Sequence, residues 1–144
     1  MVIGGPPCSE FANFNVNINF PRMNQMEVRR RRARAKILLS FAAEIYELQR
    51  AAGRHFLHEH PETADSWKEP CMRRLMARAG VGTVVGHQCQ MGLTTKDANG
   101  RAPAKKATRF MSSSSEVLAR LDRKCDGKHK HRHLENKART EAAS

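Results

Sequence analysis

The sequence predicts an α/β fold: a partly open, mostly parallel sheet with helices packed on its faces. Three observations predict it. The apolar lead Val2-Ile3 breaks into Gly4-Gly5-Pro6-Pro7, the pattern of a short buried strand that ends in a stiff loop. A long periodic segment over residues 27–52 then runs into a second short strand at His55–Pro61, and strand, helix, strand in that order is the crossover unit of parallel sheets. The alternation continues with a helix over 66–79, strands over 81–85 and 108–111, and a closing helix. With 144 residues and 40% apolar content the chain has material for one core and no surplus.

Each element has its own reason. Prolines 6 and 7 cannot continue a hydrogen-bond ladder and they fix φ, so Cys8 is held on a rigid loop at the carboxyl end of the first strand. Residues 11–21 alternate asparagine with apolar side chains; asparagine favours turns over strands, which makes this a long loop with anchors, suited to closing over a substrate. In the long helix, Ile37, Leu38, Phe41, Ile45 and Leu48 share one face, Ala42 and Ala52 extend it, and Gly53 stops it. The second helix groups Cys71, Leu75, Met76 and Ala79, ends at Gly80, and is anchored by Trp67. Residues 92–107 read as a mobile surface loop, and serines 112–115 offer caps for a helix whose apolar side is Val117, Leu118 and Leu121. Beyond Cys125 the chain is polar and basic, which divides it into an α/β domain over 1–124 and a His-rich tail over 125–144.

Formal net charge is +12, with 26 Lys and Arg against 14 Asp and Glu. That excess favours a polyanionic partner, nucleic acid first, or belongs to solubilising tails. Arg29, Arg30, Arg31, Arg32 and Arg34, with Lys105 and Lys106, are the candidate phosphate contacts. The arginine run sits at a helix start, where positive charge opposes the dipole, so either an anion binds there or the helix starts late and leaves a flexible arm. No apolar window reaches membrane-spanning length and no signal peptide is visible. The widely spaced Cys8, Cys71, Cys89 and Cys125 are no disulfide scaffold, which points to a reducing, intracellular compartment, cytoplasmic or nuclear.

Adjacent parallel strands present their carboxyl ends on one side of a sheet, so Cys8, Glu59 and Arg109 can converge there. A thiolate nucleophile, a carboxyl acid and a guanidinium suit attack on an electron-poor ring. Pro6-Pro7-Cys8-Ser9 resembles the Pro-Cys motif of the cytosine-C5 DNA methyltransferases. Leu57-His58-Glu59-His60-Pro61 looks like the Glu-containing motif of the same family, and Arg109 like its later arginine motif. The resemblance covers roughly residues 2–111. It implies a partial Rossmann-like methyltransferase sheet, addition of Cys8 to a flipped cytosine in DNA, and Glu59 and Arg109 holding the base. It also implies S-adenosylmethionine as donor, with the glycine-rich donor loop supplied by upstream sequence or a partner; the expected protein partner is a complementary half or, in a homo-oligomer, a second copy.

The tail carries a different chemistry. Cys125-x3-His129-x-His131-x-His133 gathers a thiol and three imidazoles able to hold Zn²⁺, with Cys89 and His87 able to complete a site across the fold. The competing class is therefore a non-catalytic, basic nucleic-acid-binding domain with a Cys/His zinc staple. An ordinary cationic tail would show the same composition.

Overall fold

Asn24 sets the start of the longest element. Its side chain accepts hydrogen bonds from the backbone N–H groups of Met26 (2.9 Å) and Glu27 (3.4 Å), capping helix α1, Gln25–Ala51. We describe this in a computed structural model of the chain that covers residues 1–12, 15–97, 100–104 and 106–131. The arginine run is helical, not a loose arm. Glu27 lies in the first turn and pairs with Arg30 at 2.7 Å, and Glu10 reaches Arg31 at 3.1 Å, so acidic groups offset the unfavourable charge near the helix start. Gly53, at φ 74°, turns the chain out of the helix, and the Arg54 N–H closes back on the Gln49 carbonyl at 2.8 Å.

The strands and other α-helices, in order, are β1 (Val2–Gly4, ahead of α1), β2 (Phe56–Pro61), α2 (Pro70–Met76), β3 (Gly82–His87), the hairpin strands β4 (Thr94–Asp97) and β5 (Gly100–Pro103), β6 (Ala107–Ser112) and α3 (Ser115–Leu121), with short helical turns at Ser9–Phe11, Asn15–Asn19, Phe20–Arg22, Asp65–Lys68 and Gln88–Met91. The main sheet has strand order β1-β2-β6-β3. Only β1 and β2 run parallel, joined through α1; β6 is antiparallel to both β2 and β3. This corrects the expected mostly parallel, Rossmann-like sheet. The unit at residues 2–61 is a true crossover, but the chain leaves β3 through a short turn and the β4–β5 hairpin, with no helix to carry it back across the sheet. It therefore returns in the opposite direction, between β2 and β3. The hairpin also replaces the mobile loop expected over 92–107.

The face of α1 is a second correction. Val28, Ala35, Leu39, Ala43 and Tyr46 turn to the sheet, while Ile37, Phe41 and Leu48 stand 60–69% exposed. The sheet explains the choice. Phe56, His58, His60 and Met111, with Trp67 and Phe11 beside them, already fill the space above it with large rings and a thioether. The opposing helix meets them with a face that alternates Ala35 and Ala43 with Leu39 and Tyr46. Tyr46 stacks on Phe56 at 4.7 Å and donates or accepts a 2.8 Å hydrogen bond with His58 Nδ1. His60 Nε2 faces the Pro6 carbonyl at 2.8 Å, so it carries the proton, and Nδ1 accepts from the Ser66 hydroxyl at 2.6 Å. Helix α3 covers the other face: Gly86 there lies against Phe110 and the Leu121 carbonyl.

Gly4 pairs with His58 in the ladder, and a Cβ at Gly4 would strike the Tyr46 hydroxyl. Gly4→Ala should therefore destabilise the domain by about 1–3 kcal/mol, read as a lower urea midpoint at unchanged slope. In a Tyr46→Phe background, which removes the atom struck first, the cost should be smaller. Equal costs in both backgrounds would show that Tyr46 is not the obstacle.

Candidate metal centre

Strand β3 is an edge strand, and the chain after α3 covers it. The Arg123 carbonyl accepts from the His87 N–H at 2.7 Å, the Lys124 ammonium donates to the Val85 carbonyl, and the Cys125 N–H donates to His87 Nδ1 at 2.8 Å. His87 Nδ1 is thereby an acceptor for backbone and is not free for a metal. Its role is to hold Cys125 in place.

Past His87 a helical turn, Gln88–Met91, lifts Cys89 off the end of β3, and Gly92 at φ 86° redirects the chain into the hairpin. On the other side Asp126 accepts from the Lys128 N–H at 2.9 Å, and Gly127 at φ 71° bends the backbone. That bend sends His129 and His131 back towards Cys125. The result is a half-buried cluster in which one ligand atom each of Cys89, Cys125, His129 and His131 lies within 4.8 Å of all the others.

The three spacings among Cys125, His129 and His131 are close to those of a tetrahedral ion. Cys125 Sγ is 3.7 Å from His129 Nε2 and 3.4 Å from His131 Nε2, and the two Nε2 atoms are 3.0 Å apart. Usual Zn–S and Zn–N bond lengths put tetrahedral S···N and N···N edges at about 3.6 and about 3.3 Å. An outer shell is also present. Asp126 Oδ1 lies 3.4 Å from His129 Nδ1, which leaves Nε2 as the ligand atom, and the Gly127 N–H points at Cys125 Sγ from 3.5 Å. Burial, and then contact with the Cys125 thiol, push the Cys89 pKa up. A bound cation would reverse that preference and hold both sulfurs as thiolates.

Of the expected ligands, the structure gathers Cys125, His129 and His131; His133 lies outside the described residues. Cys89 completes the set from 36 positions away. The fit supports a Cys2His2 metal site, Zn²⁺ by ligand type.

The other expected sites fare differently. Cys8 is 2% exposed, and its thiol pKa is pushed up to about 11, first by burial and then by the charge of Glu59, with Lys106 pulling the other way. Glu59 itself pairs loosely with Lys106 at 3.9 Å. Cys8, Glu59 and Lys106 thus share a corner. Arg109 does not join them: it pairs with His60 in the ladder, one position out of phase with Glu59, and its guanidinium sits 5.4 Å from the Trp67 ring on the opposite face. Arg29, Arg30 and Arg34 are exposed, Arg31 is tied to Glu10, Arg32 is half-buried, and Lys105 lies outside the described residues.

The expected cytosine-C5 methyltransferase, with its S-adenosylmethionine cofactor, is corrected by this topology. The donor-binding fold of that family is a mostly parallel sheet, and here only β1 and β2 run parallel while β6 is antiparallel to both β2 and β3. No described helix is long and apolar enough to cross a membrane. No family model, curated protein or solved structure matches the chain.

Proposed function

We propose that this chain is a non-catalytic, basic nucleic-acid-binding domain whose segment after α3 is stapled to the sheet by zinc. The cluster of Cys89, Cys125, His129 and His131 carries the reading. Four protein ligands close a tetrahedral site and leave no position for an activated water, the mark of a structural metal and not a catalytic one. The element that this metal would fix is itself strongly basic. Arg123, Lys124, Lys128 and Lys130 are all exposed on it, next to the ligands, and Arg120 is exposed on α3 just before it. Small zinc-ordered modules that offer cations to phosphates are a common way to bind single strands and duplexes. With a net charge of +12, the rest of the chain adds attraction at a distance.

The test is fluorescence anisotropy of the zinc-loaded chain with mixed-sequence oligonucleotides, single- and double-stranded, across 50–200 mM salt. Affinity should fall linearly on a log–log plot, and Lys128→Ala and Lys130→Ala should each reduce the slope by about 1. Chelation should weaken binding, because the cations lose their fixed arrangement. Absence of salt-dependent binding at the lowest salt would overturn the reading.

A further inference from the structure

Among the described residues nothing covers the apolar ridge on α1. Ile37 (69%), Phe41 (60%) and Leu48 (69%) are among the most exposed large side chains of the protein, and Leu38 stands beside them at 44%. They are not scattered. Arg34, Ile37, Phe41, Glu44 and Leu48 are all exposed and follow one another at spacings of three and four, which is a single seam along a helix with coiled-coil periodicity. Shallow hollows flank it, one lined by Ile37, Ser40, Phe41 and Glu44, the next by Ala43, Glu47, Leu48 and Cys71.

We infer that this seam is the interface of an antiparallel homodimer in which α1 of one copy lies along α1 of the other. The order of the side chains selects both the partner and its direction. Read along the helix, the four central positions of the seam are cation, apolar, apolar, anion: Arg34, Ile37, Phe41, Glu44, with Leu48 one step beyond them, opposite the stem of the partner's Arg30. Turned end over end, the same string is its own complement. Ile37 meets the partner's Phe41, and Arg34 meets the partner's Glu44, twice over, as a two-fold axis requires. A parallel pair would set Arg34 against Arg34 and Glu44 against Glu44. Neither Arg34 nor Glu44 has an ion-pair partner among the described residues, whereas Glu27, Glu47, Arg30 and Arg50 on the same helix are all paired. The helix is about 40 Å long, enough for several turns of contact on either side of the axis. Most of the arginine run, and the zinc-stapled segment, remain outside the seam. The dimer therefore does not depend on the nucleic-acid reading and would double the number of basic surfaces.

Light scattering and sedimentation velocity on the full chain test this. The expected result is twice the 16.3 kDa chain mass at tens of micromolar. Phe41→Asp should weaken association at least tenfold with the circular dichroism spectrum unchanged, since the side chain is exposed. Arg34→Glu and Glu44→Arg should each weaken it several-fold by placing like charges together. The double variant should restore it, and an equimolar mixture of the two single variants should form heterodimers. A wild-type chain that stays monomeric overturns the proposal, as does a dimer indifferent to Phe41→Asp. A dimer that the double charge swap fails to restore overturns the antiparallel arrangement.

Discussion

Stripping the metal with a chelator should release residues 122–131 from the edge of β3 and lower the melting temperature. Zinc present at a hundredfold over its dissociation constant contributes about 2.7 kcal/mol to stability, which for a chain of this length corresponds to roughly 5–10 °C. The loss should also be local. Amide exchange should quicken at His87 and Cys125, whose hydrogen bonds to the Arg123 carbonyl and to His87 Nδ1 hold the segment down. Cys89→Ser should reproduce the effect as fully as Cys125→Ser, although the two are far apart in sequence, because each removes one thiolate from the same tetrahedron. Cobalt substitution should give the visible absorption of a tetrahedral sulfur–nitrogen site. Affinity should weaken as pH falls, since every ligand must lose or lack a proton to bind. A metal content near zero after purification in zinc, with no change of melting temperature on chelation, would remove the centre and the function built on it.

The site was half legible in the sequence for a physical reason. Cys125, His129 and His131 are close because a single Asp126–Gly127 bend folds them together, and local spacing reports local bends. Cys89 is close only because the segment after α3 hydrogen-bonds along β3. Nothing in the spacing of residues 89 and 125 encodes that pairing; it depends on which strand is left at the edge. Cys89 and His87 could be named as completing residues, but their separate roles follow from the backbone N–H that occupies His87 Nδ1.

The same division runs through the fold. The helix expected over 27–52, the strands expected at 55–61, 81–85 and 108–111, and a cap among serines 112–115 are local matters of period, cap and breaker, and their places are readable to within a few residues; the start of α1 is not. Strand direction was not, because alternation of side chains is the same whichever way a strand runs. Apolarity alone points Ile37, Phe41 and Leu48 inwards, and the structure turns them outwards. Packing density, not hydrophobicity alone, decides that: rings from β2 and Trp67 are met by a helix face on which Ala35 and Ala43 alternate with Leu39 and Tyr46. The displaced aliphatic residues make the seam proposed for the dimer.

The buried histidines of β2 should also make the domain acid-labile. Burial, and then the neighbouring His60, bring the His58 pKa down to about 3, and burial also lowers that of His60. Above the ordinary histidine range neither the folded nor the unfolded chain protonates these rings, so they add no pH dependence. Below about pH 6.5 the unfolded chain takes up protons that the folded core refuses. Stability then falls with pH, on the order of 1 kcal/mol per pH unit for each ring. His58 has the least room to adapt: its Nδ1 is engaged with Tyr46, its Nε2 has no hydrogen-bond partner, and Trp67 stands edge-on at 5.4 Å. His60→Gln isolates one proton, since glutamine can still donate to the Pro6 carbonyl and accept from Ser66. Urea titrations between pH 6.5 and 4.5 should show a shallower loss of stability in that variant, by roughly one proton's worth of slope. The substitution leaves every other ionisable side chain in place, so the comparison is of slopes in otherwise identical chains. Coincident slopes would mean that the folded core accepts the proton on His60, and that burial does not keep the ring neutral.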